Sequence, residues 1–304
     1  MVIKPPLVVI VGPTATGKSE IAIELAEEFN GEIVSADSRQ VYRGMDIGTG
    51  KVLPEQRNRV PHHLLDMAEP TETYTLAQFQ DAALTAIRHI QQRGKLPFLV
   101  GGTGLYVQAI VDNLDIPAVE PQPELRAELE KLPIPALRER LKEVDPIGYE
   151  NIDLNNPRRL IRAIEVSQTA GQPFSELKGA GVPEFDPLMI GIHKRDTLRQ
   201  RIEDRMKERY ERGMIDEVKR LHDDGVSWEQ LESFGLEYRR VAEFLQEKIS
   251  REEALAKAKQ DLWNFAKRQM TWFKKDERIR WVETPDDAEA LLSDWLIGRA
   301  ARNR

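Results

Sequence analysis

Apolar and polar positions alternate in two ways through the first hundred residues. Short uninterrupted apolar runs are typical of strands buried on both faces of a parallel sheet. Between them, apolar side chains recur at helical spacing. A continuous apolar run occupies residues 7–11, two further short strands are predicted at 32–35 and 96–100, and the helical patterns occupy residues 19–29 and 76–92. Strands that alternate with helices predict an α/β domain whose parallel strands are joined by right-handed crossovers.

The pattern changes after residue 115. Prolines at positions 117, 121, 123, 133 and 135 interrupt short helical stretches, and no strand pattern returns before residues 188–192. We therefore predict a mainly helical insertion over residues 116–186, within a core domain formed by residues 1–115 and 187–304. The remaining patterns predict helices at 197–213, 214–224, 238–246 and 252–275 and a late strand at 279–282.

Composition limits the possible functions. The 304 residues include 44 Lys and Arg against 51 Asp and Glu, a net charge of -7, which argues against a general nucleic-acid coat protein but allows a local basic groove. The chain has no cysteine, which excludes disulfides, a thiolate nucleophile and cysteine-ligated metals. No apolar run approaches the ~20 residues of a membrane span. Residues 1–6 leave no room for a secretory signal, so we expect a cytoplasmic protein without membrane contact.

A phosphate-binding loop follows the first predicted strand. Its pattern G-x-x-x-x-G-K-[ST] lies between a strand and a helix, the context that supports the motif over a glycine-rich turn with an incidental lysine. The backbone N–H groups would cradle phosphate oxygens, Lys18 would neutralise charge, and the Ser19 hydroxyl would ligate Mg²⁺. The loop consists of Gly12, Pro13, Thr14, Ala15, Thr16, Gly17, Lys18 and Ser19.

The phosphate loop alone does not name the ligand. ATP is the default, and a GTPase is excluded because the chain has no Asn-Lys-x-Asp motif. The strand at 96–100 runs into Gly-Gly-Thr-Gly-Leu-Tyr without the carboxylate of a usual ATPase, and the nearest candidates are Asp37 and Asp66. From the loop, a small-molecule kinase that uses ATP and a non-catalytic, nucleotide-dependent RNA-binding module both remain open.

Six motifs in order resemble those of the tRNA dimethylallyltransferases, or isopentenyltransferases, of the bacterial type. Gly50 and Val52 stand where Ala and Pro are usual, and the segment at 234–239 departs from the common Gly-Tyr-Arg. The zinc finger of some eukaryotic relatives is not expected in a chain without cysteine. The motifs occupy residues 12–19, 37–49, 61–66, 101–106, 156–165 and 267–273.

The resemblance implies a P-loop NTPase-like fold, a reaction and residues for it. The family transfers a dimethylallyl group from dimethylallyl diphosphate to N6 of the adenine adjacent (3′) to the anticodon, with Mg²⁺. It implies Asp37 as general base, with a magnesium ligand or a helix cap as alternatives. Arg205 would neutralise the leaving diphosphate, with Arg201 as second choice and an ordinary solvated helix face as the alternative. Thr103 would contact tRNA near the reaction channel, or cap a helix.

Contacts with the tRNA anticodon stem-loop are expected at several segments. Asn156 and Pro157 are ordinary helix-start residues, and the arginines after them point away from the apolar side of that helix, which favours phosphate contact. We assign Phe273 to the core, leave Trp272 open, and expect structural roles for the two histidines at 62 and 63. We also expect a monomer. The tRNA-binding residues implied by the resemblance are Asp37, Ser38, Arg39, Gln40, Thr103, Arg126, Arg158, Arg159, Leu160, Ile161 and Arg162.

Overall fold

The computed structural model describes residues 4–117, 119–177, 179–194 and 197–302. It divides into two compact units. The core unit comprises Met1–Val111 and Glu184–Arg304, and the inserted unit comprises Asp112–Pro183. Among the described residues, no helix is long and apolar enough to cross a membrane.

A parallel sheet forms the centre of the core unit, as predicted. Within the described residues it has six strands in the order β3-β2-β4-β1-β7-β8, and every neighbouring pair is parallel. Within the described part of the chain, the strands are β1 (Pro6–Val11), β2 (Gly31–Ser35), β3 (His62–His63), β4 (Leu96–Gly101), β5 (Leu114–Asp115), β6 (Gly179–Ala180), β7 (Asp186–Ile192) and β8 (Ile279–Val282).

Helices cover both faces of the sheet. Before the insertion, the core unit contains α1 (Lys18–Glu28), α2 (Pro54–Arg59), α3 (Leu76–Gln92) and α4 (Gly104–Val111). The inserted unit contains α5 (Pro123–Leu129), α6 (Ile134–Val144), α7 (Pro146–Asn151), α8 (Pro157–Ala170) and α9 (Phe174–Leu177). The later helices of the core unit are α10 (Leu198–Glu211), α11 (Met214–Asp223), α12 (Trp228–Phe234), α13 (Leu236–Leu245), α14 (Arg251–Phe273) and α15 (Pro285–Arg302).

The apolar run of β1 is explained by burial on both faces. Leu7 and Val9 pack in one apolar cluster with α3 and α4, while Val8 and Ile10 pack in another with α1 and α15. All four side chains have no exposed surface. A strand enclosed in this way needs no polar alternation, which is why the run is continuous.

The carboxyl ends of three central strands bring three loops together. Val11 of β1 is paired with Gly101 of β4, and Val100 of β4 is paired with Ser35 of β2. A Cβ on Gly101 would overlap the backbone of Ala36, so this close approach requires glycine. The phosphate loop, the turn that begins at residue 37 and the loop at 102–103 therefore start side by side.

Most predicted elements of the core unit are confirmed, and several were missed. The five predicted strands and the helices at 19–29, 76–92, 197–213, 214–224, 238–246 and 252–275 correspond to observed elements. The sequence analysis did not predict β3, α12 or α15. It expected no strand between residues 115 and 188, but β6 lies there and forms a short antiparallel pair with β5 in the inserted unit. Each of these two strands has two residues, too short for a hydrophobic period to reveal.

The inserted unit has its own apolar core. Leu129 of α5, Leu137 and Leu141 of α6 and Leu160 and Ile164 of α8 pack in one cluster. Helix α8 begins as its sequence predicts. The Asn156 side chain accepts a hydrogen bond from the Arg159 backbone N–H, and proline occupies the first helical position.

Candidate active site at the phosphate loop

The phosphate loop closes tightly between β1 and α1. The Thr16 hydroxyl donates to the carbonyl of Pro13 at 2.9 Å, and the Lys18 ammonium donates to the same carbonyl at 3.3 Å. Gly17 adopts φ 88°, a left-handed conformation that favours glycine, immediately before the helix. The loop thus presents the amino end of α1 and a lysine at the same place, which suits a bound phosphate.

Two arginines of α10 lie against this loop. The Arg201 Nε atom donates to the carbonyl of Ala15 at 2.7 Å, and the Arg205 Nη1 atom lies 3.4 Å from the Thr14 hydroxyl. A cavity of about 480 Å³ opens beside them, and its lining includes Ala15, Gly17, Gly50, Arg201, Arg205 and Arg209. The structure therefore brings both arginine candidates to the phosphate loop rather than to an ordinary solvated helix face.

The cations of this site are only partly compensated by nearby carboxylates. Desolvation and the nearby Arg205 guanidinium together lower the pKa of Lys18 to about 8, although Asp37 opposes the effect. Desolvation and the charge of Arg209 lower the pKa of Arg205 to about 9. A bound diphosphate would relieve both unfavourable effects, so the site is built for an anion.

A second group of predicted residues joins at the ends of β2 and β4. The Asp37 carboxylate accepts a hydrogen bond from the Arg39 backbone N–H at 2.9 Å, which stabilises a tight turn rather than a helix start. The Ser38 backbone N–H donates to the Thr103 hydroxyl at 3.0 Å. Thr103 is therefore bonded to the turn that carries Asp37, and its carbonyl, directly before α4, accepts from the backbone N–H groups of Tyr106 and Val107.

Gln40 connects this turn to the segment at 45–51. Its side-chain amide lies 3.4 Å from the carbonyl of Thr49 and 3.3 Å from that of Gly50. Gly50 has φ 61°, and a Cβ there would overlap the guanidinium of Arg205. The glycine at this position thus gives Arg205 the space that it occupies.

Asp66, the second carboxylate candidate of the sequence analysis, has a structural role. It is bonded to the Lys51 ammonium at 2.6 Å and to the Arg57 guanidinium at 3.1 Å. Although burial opposes the effect, these two cations hold the pKa of Asp66 below its usual range. The side chain of Lys51 is 1% exposed, so Asp66 compensates a buried charge and is not free to hold a metal at the phosphate loop.

Sequence reasoning missed a carboxylate that fixes the segment at 45–51. Glu217 accepts hydrogen bonds from the backbone N–H groups of Asp46, Ile47 and Gly48 at 3.0, 2.7 and 3.1 Å, and from the Tyr238 hydroxyl at 2.7 Å. Its neighbour Glu237 is paired with Arg209. No local pattern marks Glu217, because its backbone partners lie about 170 residues away along the chain.

The segment at 234–239 lies inside this network. Glu237 is 1% exposed and Tyr238 is 3% exposed. Glu237 is paired with Arg209, and Tyr238 bonds to Glu217, so these two side chains stabilise the positions of an arginine of α10 and of the segment at 45–51. The departure of this segment from the common family pattern therefore affects the packing behind the site, where the side chains are shielded from a large ligand.

The segment at 267–273 contributes a second missed residue, Gln269. Its amide bonds the backbone of Thr14 and of Gly102, each at 2.8 Å. Phe273 is 2% exposed, which confirms its assignment to the core, whereas Trp272 is 38% exposed. The indole of Trp272 packs so closely on Gly104 that a Cβ there would overlap it.

The expected tRNA-binding residues of the inserted unit differ in accessibility. Arg158 and Arg159 are exposed. Arg126 and Arg162 are bonded to the fully buried carboxylate of Glu165 at 2.7 and 2.6 Å, and this pairing holds the pKa of Glu165 below its usual range against the effect of burial.

Leu160 and Ile161 of the same helix are 0% and 8% exposed, and both pack in the core of the unit. Their burial leaves almost no side-chain surface for RNA. Their side chains have a packing role, because the apolar face of α8 turns inward, and a tRNA contact at these two positions stays a prediction.

The structure offers few metal ligands. In the described part of the chain, no group of three or more histidine or acidic side chains could hold a metal ion. Ser19 lies in the first turn of α1, beside the loop. This fits Mg²⁺ bound mainly through substrate phosphates and water, which needs few protein ligands.

The paired histidines serve the fold, as expected. His62 Nδ1 lies 2.7 Å from the carbonyl of Val60, and His63 Nε2 lies 2.7 Å from a carboxylate oxygen of Glu32. Neither is placed to act as a metal ligand at the phosphate loop, because both rings are engaged in β3 and its neighbours.

Comparison with known proteins identifies what the chain is similar to. The model of the family described as IPP transferase matches residues 40–276, and that of Isopentenyl transferase matches residues 5–73. A tRNA dimethylallyltransferase of Roseiflexus sp. (strain RS-1) is 44% identical over 291 residues, which cover 94% of this chain and 95% of the relative. A tRNA dimethylallyltransferase 2 of Citrifermentans bemidjiense is 45% identical over 305 residues, which cover 99% and 96%.

Solved structures give the same result. The full-length tRNA isopentenylpyrophosphate transferase of Bacillus halodurans matches with a TM-score of 0.72 and 38% identity, and 98% of each chain is covered. A eukaryotic dimethylallyltransferase acting on tRNA matches with a TM-score of 0.80 and 28% identity, over 99% of this chain and 80% of that one.

Proposed function

Because the chain belongs to the IPP transferase family, we propose that it is a tRNA dimethylallyltransferase. It transfers the dimethylallyl group of dimethylallyl diphosphate to N6 of the adenine adjacent (3′) to the anticodon and produces N6-isopentenyladenosine. The observation that carries the proposal is the arrangement of two loops. Lys18 and Arg205 meet at an anion site, and the turn of Asp37, bonded to Thr103, begins at the neighbouring strand end.

The diphosphate half of the reaction belongs to the phosphate loop. When the bond between the allylic carbon and the diphosphate oxygen breaks, negative charge grows on the leaving diphosphate. Lys18 and Arg205 stabilise that charge, because both are cations whose pKa is lowered by desolvation and recovers beside an anion. Arg201 holds the loop itself through the carbonyl of Ala15.

The nucleophilic half needs a base. The lone pair of the exocyclic nitrogen is delocalised into the purine ring, so its proton must leave as the new bond between nitrogen and carbon forms. Asp37 accepts this proton as general base, a role that contributes on the order of 10²–10⁴-fold. Thr103 contacts the tRNA beside it and keeps the turn of Asp37 in place through Ser38.

Mg²⁺ accompanies the diphosphate. The Ser19 hydroxyl would hold it together with diphosphate oxygens and water, in keeping with the small number of protein ligands at the loop. When bound, the ion would supply further charge neutralisation for the leaving group.

The tRNA contacts both the turn of Asp37 and the exposed arginines of α8. The target adenine leaves its stack to reach the diphosphate, and residues 37–40 with Thr103 receive it. Arg158 and Arg159 are exposed on α8 and bind phosphates of the anticodon stem-loop. Arg126 and Arg162 are held beside them by their ion pairs with Glu165. We further propose a cytoplasmic monomer.

A product assay tests the function. The purified protein is mixed with Mg²⁺, a tRNA that carries an unmodified adenine 3′ of its anticodon, and either dimethylallyl diphosphate or ATP. Mass spectrometry of the digested nucleosides should show prenylated adenosine with the dimethylallyl donor only. Phosphoryl transfer from ATP to a small molecule, without prenylation of a competent tRNA, would instead favour the kinase.

A variant series assigns the base. Asp37→Asn should reduce prenylation by about 10²-fold or more while tRNA binding persists. Asp294→Asn changes an exposed carboxylate of α15 in the same way and should leave the rate unchanged. An Asp37→Asn enzyme that retains the wild-type rate would exclude Asp37 as the base.

A further inference from the structure

Gln269 links two loops that approach it from different strands. Its Nε2 atom donates to the carbonyl of Gly102 at 2.8 Å, and its Oε1 atom accepts from the backbone N–H of Thr14 at 2.8 Å. The orientation of the amide is fixed, because a carbonyl only accepts and a backbone N–H only donates. The residue is 7% exposed, and it comes from α14, far along the chain from both partners.

The Gln269 side chain joins the two loops just beyond the last paired residues of the sheet. Pairing of β1 with β4 ends at Val11 and Gly101, where the phosphate loop and the next loop diverge. Gln269 then joins these loops in place of backbone pairing. A Cβ on Gly102 would overlap the Gln269 amide, so the close approach depends on glycine at that position.

Each partner of Gln269 adjoins a residue of the proposed reaction. The Thr14 hydroxyl contacts Arg205 on the diphosphate side. Gly102 precedes Thr103, whose hydroxyl accepts from the Ser38 backbone next to Asp37. A single carboxamide therefore connects the place where the leaving group is neutralised with the place where the proton is removed.

We propose that Gln269 is a positioning residue that sets the distance between the phosphate loop and the loop that carries Thr103. The inference rests on the proposed function for its kinetic part and on geometry alone for its structural part. Misplacement of reacting groups by about 1 Å can cost on the order of 10²-fold in rate. Loss of the link should therefore reduce kcat more than it changes the KM for tRNA.

Two substitutions at this residue and matched controls test the proposal. Gln269→Ala removes both bonds. Gln269→Glu retains the acceptor for Thr14 but replaces the donor by a carboxylate oxygen facing the carbonyl of Gly102. Gln260, an exposed residue of the same helix whose amide contacts Asn264, provides Gln260→Ala and Gln260→Glu as controls.

The kinetic readout depends on pH in one variant. A protonated glutamic acid has the O–H donor that a carboxylate lacks. The kcat of Gln269→Glu relative to wild type should therefore increase as pH is lowered from 8 to 6, whereas that of Gln269→Ala should stay low at both values. If Gln269→Ala has the kcat of Gln260→Ala, or if Gln269→Glu shows no such pH dependence, Gln269 does not position the reaction.

Hydrogen exchange separates this inference from the proposed activity. In the unliganded Gln269→Ala protein, amide exchange should become faster in both segments 12–17 and 101–106, and not in Gln260→Ala. This result with a wild-type protein that prenylates no tRNA would contradict the proposed function and leave the link established. Unchanged exchange in either segment, in a protein that is folded by circular dichroism, would contradict the link itself.

Discussion

Binding of the allylic donor should be accompanied by proton uptake, because burial in the anion site lowers the pKa values of its cations. The pKa of Lys18 is lowered to about 8 and that of Arg205 to about 9 in the unliganded site. At pH 8, about half of the molecules therefore carry a neutral Lys18. A bound diphosphate favours the charged form and restores a pKa near 10.4, the ordinary value of lysine.

The magnitude follows from these values. Lys18 should take up about 0.5 proton per donor bound at pH 8 and about 0.1 at pH 7. The sign is fixed, since a cation whose pKa rises on binding gains protons. Donor affinity should accordingly fall as pH rises through 8, towards tenfold per pH unit above it.

Calorimetry without tRNA measures both quantities. Titrations with dimethylallyl diphosphate at pH 7 and pH 8, each in two buffers of different ionisation enthalpy, give the number of protons taken up. At pH 8 the phosphate groups of the donor, which titrate near pH 6, contribute little, whereas at pH 7 they release about 0.1 proton on binding and offset the uptake by Lys18, so the titration at pH 8 carries the test. Lys18→Arg, which retains a charge but has no comparable titration, should lose most of the uptake. Zero uptake by the wild-type protein at pH 8, or an affinity that is constant from pH 7 to 9, would refute the reasoning.

Three further predictions concern residues around this site and on α8. Glu217→Gln places an amide N–H against backbone donors. It should therefore lower the free energy of unfolding by about 1–3 kcal/mol in denaturant titrations and raise the donor KM. Glu229→Gln, on an exposed helix face, should do neither. Gly50→Ala should cost about 1–2 kcal/mol of backbone strain because φ is positive there, and an unchanged free energy of unfolding in denaturant titrations would contradict this. Arg158→Ala and Arg159→Ala should each reduce the salt dependence of tRNA affinity by about 0.7–0.9 in log–log slope in filter-binding assays, and an unaltered slope would remove that arginine from the phosphate contacts.

The predictable part of the fold was the part encoded by neighbours in sequence. The continuous run at 7–11 indicates a doubly covered strand because every one of its positions meets apolar side chains. The cap of α8 at Asn156 was predicted for a similar reason, since donor and acceptor are three residues apart. The two-residue strand β3 and the pair β5–β6 carry too few positions for any period to be recognised.

The strand order was beyond the reach of local patterns. β4 lies between β1 and β2, although three helices and two strands separate it from β1 along the chain. Only this order places the loop after Gly101 between the phosphate loop and the turn of Asp37. The sequence could indicate that each loop bears functional residues, but their proximity is a property of the sheet.

The same distinction explains which site residues were found and which were missed. Lys18, Asp37 and Thr103 lie in motifs, and their chemistry can be inferred from a few adjacent residues. Glu217 and Gln269 act through backbone partners 169 to 171 and 167 to 255 residues away, respectively. Both side chains are polar, buried and bonded to backbone groups. Substitutions there should therefore change the geometry of the loops without removing a group that touches substrate. Residues of this second kind should affect the rate through the placement of Lys18, Asp37 and Thr103, and for that reason their variants are tested by loop exchange and kcat rather than by binding alone.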